Sequence, residues 1–358
     1  MTQSSSADGD AEIERLVAIA TEFRRRLEQS PGEVYPAHAD TLLRLGGALS
    51  AQGQREGALS AVAEAVALYR AMDHADPEGY RTGLASALNN LSNCLAETAR
   101  HDEAAAACDE AVALARQAAS QRPDQGRYVL VSALINLAGR HMRGGDIDAT
   151  LGALAEAVEV FRGGGAAGIP YLGPMIEALH SAALAFGEIG RWTEAVAARR
   201  LMVGLFPEAP PAAALHLLAL TLHQSSQAAL RDGDIGPAGE AADEATLLAR
   251  ALYSGDAAAY GLFLAQSLGH QAGCLHRLGQ SALGLDAALE AVGLFQAAMA
   301  AEPTTVIPSL ILTLDSLMAI LTELDLPEQA ASIREQRAQM QVMLELMLKG
   351  QEEATNEG

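Results

Sequence analysis

Aromatic residues are scarce, at 4% of the 358-residue chain, with a single tryptophan. A core without large rings is built from Ala, Leu and Val, and long Ala/Leu/Glu/Arg tracts favour helix. Lysine is almost missing: Lys349 stands alone among 24 basic residues, which excludes a Schiff-base or phosphate-loop lysine elsewhere. With 45 acidic residues the net charge is −21. That balance opposes binding to nucleic-acid phosphates and to anionic membranes. Cys94, Cys108 and Cys274 form no CxxC and are odd in number, so a reducing compartment is expected rather than a disulfide framework. The opening MTQSSSADGD has no charged-then-apolar targeting pattern. The tract taken as most apolar, AAALHLLALTL, contains His216 and is too short to cross a bilayer. The expectation is a soluble, cytoplasmic, bacterial protein.

Common hydrolase motifs such as HExxH, GxSxG and the P-loop are missing. No two of the nine histidines stand at the i, i+4 spacing that puts two ligands on one metal. Gly163-Gly164-Gly165-Ala166-Ala167-Gly168 matches GxGxxG, but it follows a helical pattern and leads to Pro170, whereas a dinucleotide fold needs it between strand and helix. No catalytic residue, cofactor or metal is therefore expected, and the chain is read as not an enzyme.

What the sequence does contain is a repeat. Glu64-Ala65-Val66, Glu110-Ala111-Val112 and Glu156-Ala157-Val158 are spaced by 46 residues, and Glu290-Ala291-Val292 fits if two more copies intervene. Pro31, Pro77, Pro123 and Pro303 follow the same beat, as do Tyr35, Tyr80, Tyr128, Tyr171 and Tyr260. Each unit reads as two helices. Leu84, Leu88, Leu91 and Leu95 give the first its helical spacing. Gly53, Gly145, Gly190, Gly233 and Gly279 suit the left-handed residue that ends it, with Ala99 and Asp325 as exceptions. The second helix carries a small-residue face, and proline near the unit's end is expected to stop it.

The array resembles the tetratricopeptide repeat family, in its long-helix, kinesin-light-chain-like form with "LNNL", over residues 11 to about 349. That pattern places small residues where the two helices cross: Gly46, Ser92, Ala138, Ala183, Ser226 and Ala272 on the first helix, and Ala58, Ala104, Thr150, Ala195, Ala238, Gly284 and Ala330 after the turn. The resemblance implies an all-α, right-handed superhelical solenoid of about seven repeats plus an N-terminal half-repeat. The expected layout is a disordered tail over 1–10, the half-repeat over 11–30 and repeats 1–3 over 31–162. A Gly-rich joint over 163–169, repeats 4–7 with a capping helix over 170–349 and a second disordered tail over 350–358 complete it.

In this family the first helices line the concave surface where ligands bind. Transferring that register nominates Asn89, Asn93, Glu97, Asn136, Arg143, His180, Glu188, His223, Gln227, Arg231, His276 and Arg277 as a partner groove. Some members clamp a C-terminal carboxylate with Lys, two Asn and further basic residues. Asn93 and Asn136 match the asparagines, whereas Asn89 replaces the lysine and Glu177 and Ser181 replace basic residues. Amides, imidazoles and guanidinium groups can bind an extended backbone or a carboxylate. Arg143, Arg231 and Arg277 share one register and are expected to meet an acidic or carboxylate-bearing protein or peptide. The expected function is a non-catalytic interaction scaffold or adaptor; the alternative is a regulator whose shape a ligand or peptide gates. Self-association through the outer faces stays open.

Overall fold

The structure, a computed structural model, describes residues 2–27, 31–164 and 169–356, with side chains over 9–27, 35–164 and 170–349. The described residues form fifteen helices and no strand. They are α1 (Thr2–Leu27), α2 (Pro31–Ala51), α3 (Arg55–Ala75), α4 (Pro77–Glu97), α5 (His101–Gln121), α6 (Pro123–Arg143), α7 (Ile147–Arg162) and α8 (Ile169–Glu188). There follow α9 (Trp192–Gly204), α10 (Ala212–Asp232), α11 (Ile235–Gly255), α12 (Ala257–Arg277), α13 (Ser281–Ala298), α14 (Pro303–Glu323) and α15 (Pro327–Asn356). The chain divides into two compact units, Met1–Ala182 and Ala183–Gly358. Even-numbered helices are the first helices of the repeats and odd-numbered ones the second.

All seven tight turns are one device. Gly53, Gly145, Gly190, Gly233 and Gly279 have φ between 73° and 87°, and Ala99 and Asp325 adopt φ of 61° and 57° at equivalent places. At each, the next residue's N–H reaches back to a carbonyl five residues earlier, as in Gln54 to Leu49 (2.9 Å) and Arg100 to Leu95 (2.9 Å). This closure satisfies carbonyls that a helix end leaves bare. The exceptions lack glycine yet keep the backbone, at a steric cost that a Cβ imposes in the left-handed region.

The prolines act differently from the expectation. Pro77, Pro123 and Pro303 occupy the first turn of α4, α6 and α14 rather than stopping the preceding helix. Only Asp76 separates α3 from α4 and only Arg122 separates α5 from α6. Proline suits that start because its missing N–H would have had no helical partner. The Asp76 carboxylate accepts from Gly79 N–H at 3.0 Å and caps α4.

Small residues do mark the crossings. Ala58, Ala195, Ala238 and Ala272 are fully buried, and Ser92, Ala104, Ala138, Thr150, Ala183 and Ala330 nearly so. At Gly46 a Cβ would overlap the Val62 side chain, so only glycine permits that approach. Ser92 and Ser226 sit at the crossing by donating to the carbonyls of Ala104 (2.8 Å) and Ala238 (2.6 Å) on the facing helix. Leu42, Leu88 and Leu134 fill unit 1, and Leu264, Leu268, Ile307 and Phe295 fill unit 2. The three cysteines are buried and unbridged, and burial raises all three thiol pKa values.

Successive second helices are tied by a chain of ion pairs that the sequence reading overlooked. In unit 1, Arg24 meets Glu64, Arg70 meets Glu110 and Arg116 meets Glu156, at 2.5 to 2.6 Å. In unit 2, Arg200 meets Glu244 and Arg250 meets Glu290, at 2.5 to 2.6 Å. Arg162, on the same beat, pairs with Glu159 of its own helix. These pairs are partly exposed, so each contributes little, and their regularity serves register more than stability.

Two expectations are corrected and a third falls mostly outside the described residues. Helix runs from Thr2 and on to Asn356, where tails over 1–10 and 350–358 were expected; neither stretch carries the Pro and Gly runs that would break it. The Gly-rich joint falls mostly on 165–168, outside the described residues, and Gly163 forms the cap of α7. Among the described residues one helix, α14, of mean hydropathy 1.8, is long and apolar enough to cross a membrane by length and composition, where none was expected. Its Val306, Ile307, Leu310, Leu314, Leu317 and Ile320 are buried in the core of unit 2.

Candidate functional site

In each unit the first helices surround a hollow. The unit 1 hollow, about 370 Å³, draws Asn93 from α4, Asn136, Gly139, Met142 and Arg143 from α6, and Pro174, Glu177 and Ser181 from α8. Asn93 and Arg143 are exposed and Asn136 is half-buried. Arg143 has no hydrogen-bond or ion-pair partner among the described residues, whereas most arginines here are paired.

Asn89 is not a groove residue. It is 5% exposed, donates to Ser132 Oγ at 3.2 Å and accepts from Asn136 Nδ2 at 2.9 Å. An amide mid-helix survives burial because both its ends are satisfied across the α4–α6 contact. Asn136 therefore does two things: its Nδ2 binds Asn89 while its side chain also borders the hollow. Glu97 points elsewhere and accepts from Ser50 Oγ at 2.9 Å.

A second cavity of about 430 Å³ lies beside the first at the turn end, lined by His101, Arg140, His141, Arg143 and Asp146. Arg143 borders both. Arg140 is held by donation to the Ala105 carbonyl at 3.0 Å, and Asp146 caps α7 by accepting from Ala149 N–H at 3.0 Å.

The unit 2 hollow is larger, about 610 Å³. Of the predicted residues it unites His223, Gln227, His276 and Arg277; it adds His270, Asp315 and Ser316, which sequence reasoning missed. His223 and His270 stack at a tilt with centroids 4.5 Å apart. Burial pushes both imidazoles below their ordinary pKa, His270 down to about 4 with help from His223 and Arg277. His270 Nε2 lies 2.7 Å from Ser226 Oγ, the serine already donating to Ala238. His276 Nδ1 lies 2.8 Å from Glu323. His270 was recoverable: it stands 47 residues after His223, one repeat along on the next first helix.

Other predicted residues fall outside both hollows. His180 is half-buried on α8 and Glu188 is exposed near that helix's end. Arg231 donates to the Gln227 carbonyl at 3.3 Å on its own helix. Of the three arginines expected to share a row, Arg143 belongs to unit 1 and Arg231 and Arg277 to unit 2; Arg143 and Arg277 border hollows and Arg231 lines neither.

Helix pairs closed by one left-handed turn, crossing at small residues and repeating about every 46 residues, define the array. The described residues form an all-α tandem repeat array that resembles the tetratricopeptide repeat. No family model and no curated protein matches the chain. Solved structures similar to it include BtubC (BKLC) from P. vanneervenii, 16% identical over 68% of this chain and 92% of that one, TM-score 0.44. A circular tandem repeat protein is 17% identical over 94% and 92%, TM-score 0.41. The TPR2AB domain of yeast Sti1, solved in a pHSP90 complex, is 14% identical over 78% and 99%, TM-score 0.27.

Proposed function

We propose that this repeat array is a non-catalytic interaction scaffold whose first helices hold a protein or peptide partner. The observation that carries the reading is Arg143: a cation without an acidic partner, set between two cavities, in a chain of net charge −21. Around it stand Asn93, Asn136 and Ser181, groups that hydrogen-bond an extended backbone, with His101, Arg140 and His141 behind it. Arginine can take a carboxylate through two parallel N–H donors. The partner is accordingly an extended segment with an acidic side chain or a terminal carboxylate. The setting proposed for it is the cytoplasm.

Fluorescence anisotropy with an array of extended peptides tests this, using acidic sequences and their amide counterparts against wild type and Arg143→Glu. Acidic peptides should bind, and the charge reversal should weaken them by about tenfold or more. Binding that ignores peptide charge, or an unchanged affinity in Arg143→Glu, removes the unit 1 hollow as the site.

A further inference from the structure

The unit 2 hollow carries an inference beyond the scaffold reading, which rests on unit 1. We propose that it binds a small hydroxylated molecule bearing an anionic head group, a carboxylate or a phosphate. Its volume of about 610 Å³ lies within the range of small-molecule sites, roughly 300–1,000 Å³.

Two glycines of α12 let α14 pack closely at its floor. A Cβ on Gly269 would overlap Thr313 Oγ1, and one on Gly273 would come to 3.2 Å from Ser316 Oγ. Bare backbone at both positions leaves α12 close to α14 with room above it. The walls then supply acceptors. Thr313 and Ser316 donate their hydroxyl hydrogens to the carbonyls of Ser309 (3.0 Å) and Leu312 (3.2 Å) on their own helix. Thr313 is buried against α12, but half-buried Ser316 keeps oxygen lone pairs for a hydroxyl donor of a ligand, and Gln227 and Gln266 add amides.

Charge decides where the head group sits. The carboxylates at the hollow are occupied: Asp315 holds Arg337 at 3.0 Å, and Glu323 holds His276 at 2.8 Å and Ser281 Oγ at 2.5 Å. Asp243 of α11 accepts from Gln271 at 2.7 Å. The cationic side is unoccupied. Arg277 has no hydrogen-bond or ion-pair partner among the described residues, and neither His223 nor His270 has a carboxylate partner. An anion would meet the unpaired Arg277 guanidinium directly; His270 Nε2–H is already given to Ser226 Oγ, so its Nδ1 becomes a donor only when the ring is protonated. Beside the two imidazoles an anion also favours their protonated forms, so binding draws in protons and tightens toward acid. The groups around the pair are Ser226 and Gln227 from α10, Cys274, His276 and Arg277 from α12, and Asp315 from α14, with Asp243 of α11 near Cys274.

Glucuronate, glucose 6-phosphate, glucose and inorganic phosphate are the probes, each titrated into the full chain while the histidine ring resonances are followed by NMR. Glucuronate or glucose 6-phosphate should saturate, shift His223 and His270, and bind more tightly at pH 6 than at pH 8; which of the two does so identifies the head group. Glucose and inorganic phosphate, each lacking half of the recognised chemistry, should bind more weakly. Arg277→Gln should weaken the sugar anion by about tenfold or more. Gly273→Leu, which fills the floor without changing charge, should abolish binding while circular dichroism shows the fold retained. No saturable shift with either sugar anion overturns the proposal. So does undiminished affinity in Arg277→Gln, or in Gly273→Leu.

Discussion

His270 should make this protein acid-sensitive, and the size of the effect follows from its surroundings. Its imidazole is held down to about 4 by burial, by His223 and by Arg277, against about 6.5 in the unfolded chain. Between those values the unfolded state binds the extra proton, so stability rises with pH. The contribution is whole above pH 6.5 and is lost as pH falls toward 4; from pH 7 to pH 5 it amounts to about 2 kcal/mol. The perturbation is His270→Gln, which removes the titrating group while leaving an amide within reach of Ser226. Urea unfolding of both proteins at the two pH values gives the comparison. Wild type should lose about 2 kcal/mol more than the variant. Equal losses would refute the reasoning, as would an NMR titration that places the His270 midpoint at or above 6.5.

Ala99→Gly should raise stability by up to about 1 kcal/mol, because a Cβ at φ 61° costs more than the entropy glycine adds to the unfolded chain; chemical denaturation reads it. Asp325→Gly, at φ 57°, should gain less, since Asp tolerates that region better than Ala. Asn89→Leu should cost about 1–3 kcal/mol, since it leaves Asn136 Nδ2 and Ser132 Oγ without their partner inside the α4–α6 contact. A double-mutant cycle on Arg70 and Glu110 should return a coupling of only about 0.2–1 kcal/mol, smaller still at high salt. A coupling of several kcal/mol there would mean that the ion-pair chain holds the repeats together.

The sequence alone determined the repeat, and the reason is that its devices are local. A left-handed turn is written by five glycines at fixed places and a crossing by Ala or Ser at a recurring offset; the recurring prolines marked the beat, although they start the following helix rather than stop the preceding one. The period made each visible several times over, so even the glycine-free turns at Ala99 and Asp325 were legible before the fold was known. Residue direction was harder to read. Asn89 and Asn93 stand one helical turn apart, yet one is buried in a bridge to Asn136 and the other borders a hollow. Spacing places both on one helix but does not say where the next helix will lie. The arginines show the same limit: a shared register makes Arg143, Arg231 and Arg277 equivalent in sequence, and only packing sends Arg231 back along its own helix. The hollows themselves were decided by tertiary structure. They exist where three first helices meet, and how closely those helices approach depends on positions such as Gly269 and Gly273, where α14 packs against bare backbone. Their charge depends on which carboxylates are already held across 20 residues or more, as Asp315 is by Arg337.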